Sequence, residues 1–314
     1  MAKVVDKYPE FLQEYLDIFE PVFRKAFETS EFNLIMSLLA YRGESDAGWD
    51  PYENTEDVFE EAYKQQKKFK RSLKINMNLW LYAHLVECSE HYELLANLIK
   101  TIKGEDYNIA NHVNRNFVNL KVREKINRLK SIARGTNYEN VYEPFDKTFN
   151  ARFRNAIGHA DYAVKKGANS GVTVSDNAGF PKIFDEQETN DLINRALALH
   201  VSIRALRKSY IAHYDKSVVM PSSPTFGGGR PVDVTLIVRK GHGVIGLRCI
   251  GGHDDGVPFE TRVSRCLPYE QKMIEQGVNE LPRSRAERAN NILKFLPAKV
   301  ARKVMPRVQK MIDR

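Results

Sequence analysis

Arg154, Asn155 and His159 fall within one short stretch, Phe145-Asp146-Lys147-Thr148-Phe149-Asn150-Ala151-Arg152-Phe153-Arg154-Asn155-Ala156-Ile157-Gly158-His159-Ala160. Arginine forks onto phosphate oxygens, and histidine moves protons near neutral pH. With an amide beside them, they suit chemistry at a phosphodiester. The pattern predicts a helix over 144–162. At about 100° per residue, Phe145, Phe149, Phe153 and Ile157 make one apolar stripe that must face a core. Asn155 and His159, four apart, share a flank roughly 100–140° from that stripe. Arg154 lies on the other flank, about 140° from His159. The two converge on one ligand if Gly158 loosens the helix end, or if a second subunit supplies the missing half. The same residues also fit a plain surface helix whose C-terminal histidine meets the helix dipole.

The string Arg154-Asn155-Ala156-Ile157-Gly158-His159 resembles the Arg-x4-His signature of the HEPN superfamily (higher eukaryotes and prokaryotes nucleotide-binding). Asn directly after the Arg is the commonest form of that motif. With the following Ala160-Asp161-Tyr162, a hairpin and a closing helix, the region Tyr142–Tyr214 is similar to HEPN proteins of bacterial abortive-infection systems. The resemblance implies a helical bundle and a metal-independent endoribonuclease, a homodimer whose two motifs face each other, acting as a toxin or antiviral effector. Arg154 and His159 would be the catalytic pair, and Asn155 would contact the phosphate. Tyr162, Lys165 and Lys166, just past the motif, would line its mouth. No metal or cofactor is implied. RNA and a second copy are the expected partners, and an antitoxin or regulator is a further candidate because a lethal ribonuclease needs restraint. Some HEPN proteins have lost activity, so a non-catalytic module binding RNA, a nucleotide or a protein is the alternative.

The elements that must position these residues are mostly helical. Leu12, Tyr15, Leu16, Phe19, Phe23 and Phe27 follow Pro9 at helical spacing, with a kink expected at Pro21. Ser30 is an N-cap candidate for a helix over Glu31–Tyr41. Arg42–Asn54 reads as a loop. One long helix is expected over Ser72–Lys103, although the alternation Ile75 to Leu79 also fits a strand. Lys121–Ala133 is polar and basic and reads as a protruding helix. Gly171–Ser175 and Phe180–Phe184 alternate as a β-hairpin, and a helix over Glu186–Tyr214 closes the series. The departures from a minimal HEPN domain are long loops near 42–56 and 104–140 and everything beyond residue 217.

The overall expectation is a mainly α protein: a HEPN-like helical bundle with a β-hairpin insertion over 1–216, a linker over 217–231, and a small α+β module over 232–314. In that module Val232–Arg239, Val244–Ile250 and Phe259–Cys266 read as strands of a β-meander, followed by a basic helical tail. The chain carries 48 Lys and Arg against 40 Asp and Glu, a net charge of +8. Ten basic and two acidic side chains between Leu281 and Arg314 supply the whole excess. That distribution excludes an evenly basic nucleic-acid coat protein and puts the charge on the tail. The tail would add phosphate affinity, bind an acidic partner, or lie on an anionic membrane surface.

Other readings are weaker. Three cysteines in 314 residues make no disulfide framework. No apolar run approaches about 18 residues and no signal pattern opens the chain, so a cytoplasmic protein with no transmembrane segment is expected. His242, Cys249, His253 and Cys266 would supply four zinc ligands, but without a Cys-x2-Cys pair; buried strand cysteines are the plainer reading. Gly227–Gly229 before Arg230 lacks the Lys-Ser/Thr of a phosphate loop and reads as linker. The runs Lys64, Lys67, Lys68, Lys70, Arg71, Lys74 and Lys121, Arg123, Lys125, Arg128, Lys130 would guide an RNA backbone or merely solvate helix faces.

Overall fold

A computed structural model describes residues 6–40, 51–65, 68–106, 120–165, 171–175, 181–224, 231–241 and 243–249. It is mainly α, with two small antiparallel sheets. The helices are α1 (Tyr8–Thr29), α2 (Glu31–Ala40), α3 (Pro51–Gln65), α4 (Arg71–Glu87), α5 (Ser89–Ile102), α6 (Val122–Ala133), α7 (Glu143–Thr148), α8 (Ala151–Gly158) and α9 (Glu186–Ile211). The strands are β1 (Tyr162–Lys165), β2 (Gly171–Val174), β3 (Lys182–Asp185), β4 (Val219–Pro221), β5 (Asp233–Arg239) and β6 (Gly243–Cys249). The chain divides into two compact units, one taking residues 1–22, 41–99 and 109–203, the other 23–40, 100–108 and 204–314. Boundaries between the units fall within α1, α5 and α9.

Some local signals act as expected and others are overridden. Helix α1 starts one residue before Pro9 and continues through Pro21. Ser30 accepts a hydrogen bond from the Asn33 backbone N–H at 3.2 Å and so caps α2. The alternation at Ile75–Leu79 resolves as helix, inside α4. Pro51–Asn54, expected as loop, opens α3.

Two expected helices are each broken in two, and both breaks have a physical cause. The expected helix over 72–103 stops at Cys88, whose backbone is extended (φ −56°, ψ 99°). There the Lys125 ammonium donates to the Glu87 carbonyl at 2.8 Å and to the Ser89 hydroxyl at 2.9 Å. A side-chain donor thus satisfies a carbonyl that the helix no longer uses. The expected helix over 144–162 stops at Phe149 (ψ 116°) and restarts after Asn150, whose side chain accepts from the Phe153 N–H at 3.0 Å. The Tyr82 hydroxyl bridges this second break, donating to the Thr148 carbonyl and accepting from the Asn150 N–H, each at 3.1 Å. Burial raises the pKa of this phenol and keeps it protonated.

The first unit packs aromatic rings around these breaks. Tyr92 and Phe145 lie 4.4 Å apart between centroids, Tyr82 and Phe153 5.2 Å, and Phe153 and Phe184 4.8 Å. Leu12, Tyr15, Phe19, Leu85, Leu95, Leu129 and Leu199 are among the side chains buried with them. Helix α6 does not protrude: Val122, Lys125, Ile126, Leu129 and Ala133 are buried. The expected hairpin is present as β2 and β3, with Val172 opposite Phe184, and β1 pairs with β2 to make three strands.

In the second unit Phe23 and Phe27 pack on Tyr210, and Tyr214 donates to Glu31 at 2.5 Å. The strands expected at Val232–Arg239 and Val244–Ile250 are β5 and β6. The stretch read as linker supplies a third, β4, paired with β5 so that Met220 lies opposite Val234. Gly243 is a required glycine: its φ is +75°, and a Cβ there would lie 2.2 Å from the Ile211 carbonyl oxygen. The strand expected at Phe259–Cys266 and the basic tail lie outside the described residues.

Candidate active site

Helix α8 is short, and its two ends are built differently. Asn150 caps the start. The finish is a two-bond Schellman turn: the Asp161 N–H reaches the Ala156 carbonyl at 2.8 Å, and the Ala160 N–H reaches that of Ile157 at 3.2 Å. Ala160 occupies the left-handed position (φ 60°) where glycine is usual. A Cβ in that conformation costs about 1 kcal/mol. Ala160→Gly is expected to stabilise the protein by about 0.5–1 kcal/mol, read as a higher urea midpoint with an unchanged slope; a lower midpoint would show that the turn is not strained.

The turn fixes the trio. Phe153, Ala156 and Ile157 are buried and anchor α8, while Asn155 and Gly158 are exposed. His159 is not within the helix. It is the C-cap residue (φ −98°, ψ 2°), its N–H bonded to the Asn155 carbonyl at 2.9 Å. Its imidazole is exposed, with no hydrogen-bond partner among the described residues. The Arg154 guanidinium donates to the Asn155 side-chain oxygen at 3.1 Å, which brings these two together directly. A Cβ built on Gly158 would touch nothing within 4 Å, so the space beside the trio is open.

Sequence reasoning missed the group that holds Arg154. The Glu87 carboxylate pairs with the guanidinium at 2.5 Å, both side chains about one-third exposed. Glu87 is the last residue of α4, and the break at Cys88 aims it. The Lys125 ammonium that stabilises the break lies 3.8 Å from the same carboxylate. Burial lowers the pKa of Lys125, and Glu87 partly offsets this. No local pattern flags Glu87, because its partner lies 67 residues downstream. Replacing it as Glu87→Gln is expected to remove an anion that competes for the guanidinium and to lower the KM for a phosphodiester substrate by about two- to fivefold, the scale of a part-exposed ion pair. A raised KM would show that the carboxylate positions Arg154 rather than occupying it.

The other expected residues divide. Tyr162 is half-buried, and its hydroxyl donates to the Asn76 side-chain oxygen of α4 at 2.9 Å. Alternation along β1 sends Lys165 to the opposite face, exposed, so the two do not line one mouth. Lys166 lies outside the described residues. Of the basic run on α6, Lys125 is buried, Arg123 pairs with Asp146, and Lys130 sits 4.8 Å from the centre of the Tyr142 ring. Lys68, Lys70 and Lys74 are exposed.

Sequence reasoning also missed a buried polar chain. His91 Nε2 lies 3.0 Å from His200 Nδ1, and the Glu56 carboxylate lies 3.2 Å from His200 Nε2, against the Phe59 ring. Its burial makes it part of the core. No group of three or more His, Cys, Asp or Glu fit to hold a metal ion occurs among the described residues. The side chains of His242, Cys249, His253 and Cys266 fall outside them. Among the described residues no helix is long and apolar enough to cross a membrane. No protein-family model, curated protein or solved structure matches the chain.

Proposed function

We propose that this protein is a metal-independent endoribonuclease of the HEPN type, acting as a homodimer in a toxin or abortive-infection role. One observation carries the reading: α8 carries the Arg154 guanidinium held on the Asn155 amide, and its C-cap carries the unengaged imidazole of His159. The reaction is transesterification. The RNA 2′-oxygen bonds to the adjacent phosphorus, and the bond from phosphorus to the 5′-oxygen breaks. The 2′-hydroxyl loses its proton and the leaving 5′-oxygen gains one; His159 serves as base or acid in this exchange. Arg154 steadies charge on the phosphoryl oxygens. A second copy facing the first supplies the opposite half of the groove.

A second reading, a non-catalytic module holding RNA, a nucleotide or a protein, is favoured by one feature. Arg154 is already paired with Glu87. Incubation of the pure full-length chain with RNA, and with DNA of the same sequence, in excess EDTA separates the readings. Cleavage of RNA alone is expected, because DNA lacks the nucleophile. Binding without cleavage would establish the second reading, and cleavage abolished by EDTA would point to a metal-dependent nuclease.

A further inference from the structure

Trp80 stands 53% exposed on α4, well above what a large aromatic side chain ordinarily shows. Its place on the helix is specific. At about 100° per residue, Asn76, Trp80 and Glu87 fall within an arc of about 40°. The two flanking residues reach the candidate site, Asn76 through the Tyr162 hydroxyl and Glu87 through the Arg154 guanidinium. Trp80 therefore rises from the same ridge of α4, about 10 Å along the axis from Glu87 and about 6 Å from Asn76. Helix α4 packs against both α8 and β1, which fixes the ridge beside the trio. The core does not explain the residue, because the buried face of α4 is made by Leu79, Leu81, Tyr82, Leu85 and Val86.

From this juxtaposition we infer that Trp80 is a stacking platform for an unpaired base of single-stranded RNA, lying next to the nucleotide whose phosphate meets Arg154. The inference rests on the ribonuclease reading for its ligand. An indole face accepts any base by stacking, and only a base free of a duplex can reach it. Single-stranded RNA, bulges and loops are thus the substrate class, with duplex excluded.

The chain has two tryptophans, Trp49 and Trp80, so a Trp49→Phe variant makes Trp80 the sole reporter. In the full chain carrying Trp49→Phe and His159→Ala, titration with a single-stranded RNA oligonucleotide is expected to quench the tryptophan emission, while its duplex with the complementary strand does not. In the otherwise native chain, Trp80→Ala is expected to weaken single-strand binding about tenfold, the scale of one lost base stack, and to raise KM with kcat little changed. Trp80→Phe restores most of the loss. Binding by Trp80→Ala equal to wild type, with cleavage retained, would overturn the platform and leave the ribonuclease reading intact. A shift of Trp80→Ala from dimer to monomer in sedimentation would also overturn it, showing the ridge to be a subunit contact. Quenching in a chain that never cleaves RNA would support the platform and refute the ribonuclease.

Discussion

Arg154→Ala and His159→Ala should each reduce RNA cleavage at least about a hundredfold while leaving the helical circular dichroism and the unfolding midpoint almost unchanged. The magnitude follows from the role proposed for each group. A positioned acid or base contributes about 10²–10⁴-fold, and a donor aimed at developing charge about 10²–10³-fold. The neutrality toward stability follows from position. His159 is exposed, and Arg154 is partly exposed with its ion pair to Glu87 reaching solvent, where such a pair contributes about 1 kcal/mol or less. Arg154→Lys keeps the charge but loses the planar fork, so it should recover only part of the rate. Full activity in either alanine variant would remove these residues from the chemistry.

The largest effect on stability is expected at Phe153. Its ring is fully buried one residue before Arg154, between the Tyr82 ring at 5.2 Å and the Phe184 ring at 4.8 Å. It ties α8 to α4 on one side and to β3 on the other. Phe153→Ala removes those contacts and leaves a cavity, at a cost of about 3–5 kcal/mol. Against a total stability of about 5–15 kcal/mol, that is a large fraction, measurable as a lower urea midpoint and melting temperature. Phe149→Ala, at a half-buried position on the break between α7 and α8, should cost markedly less. Equal losses at the two positions would mean that the expected single apolar stripe, not the broken arrangement, describes the core.

That comparison also shows what the sequence could and could not reveal. The spacing of Phe145, Phe153 and Ile157 identifies a core-facing surface correctly, since all three are buried. It cannot reveal the interruption at Phe149–Asn150, because the hydroxyl that stabilises it belongs to Tyr82, on another helix. The same holds at Cys88, where the periodicity of Leu81, Leu85, Cys88, Tyr92 and Leu95 runs through without a gap. The break there depends on the Lys125 ammonium, from a segment that reads as an ordinary basic surface helix. The trio itself was visible because its members are close in sequence and polar beside an apolar stripe. Glu87 and Trp80 were not, because their meaning comes from the crossing of α4 with α8 and β1. The break after α8 also removes His159 from the ideal helix, so a separation of about 140° computed along one helix does not describe the C-cap position.

The chemistry of the cut ends is the most direct test of the reaction proposed for Arg154, Asn155 and His159. Full-length protein is incubated with a defined single-stranded RNA in excess EDTA, and the product termini are read by mass spectrometry. Attack by the neighbouring 2′-oxygen leaves a 2′,3′-cyclic phosphate on one fragment and a 5′-hydroxyl on the other, and both should disappear with His159→Ala. Fragments ending in a 3′-hydroxyl and a 5′-phosphate would mean that water or a metal-bound nucleophile made the cut, and would contradict the assignment.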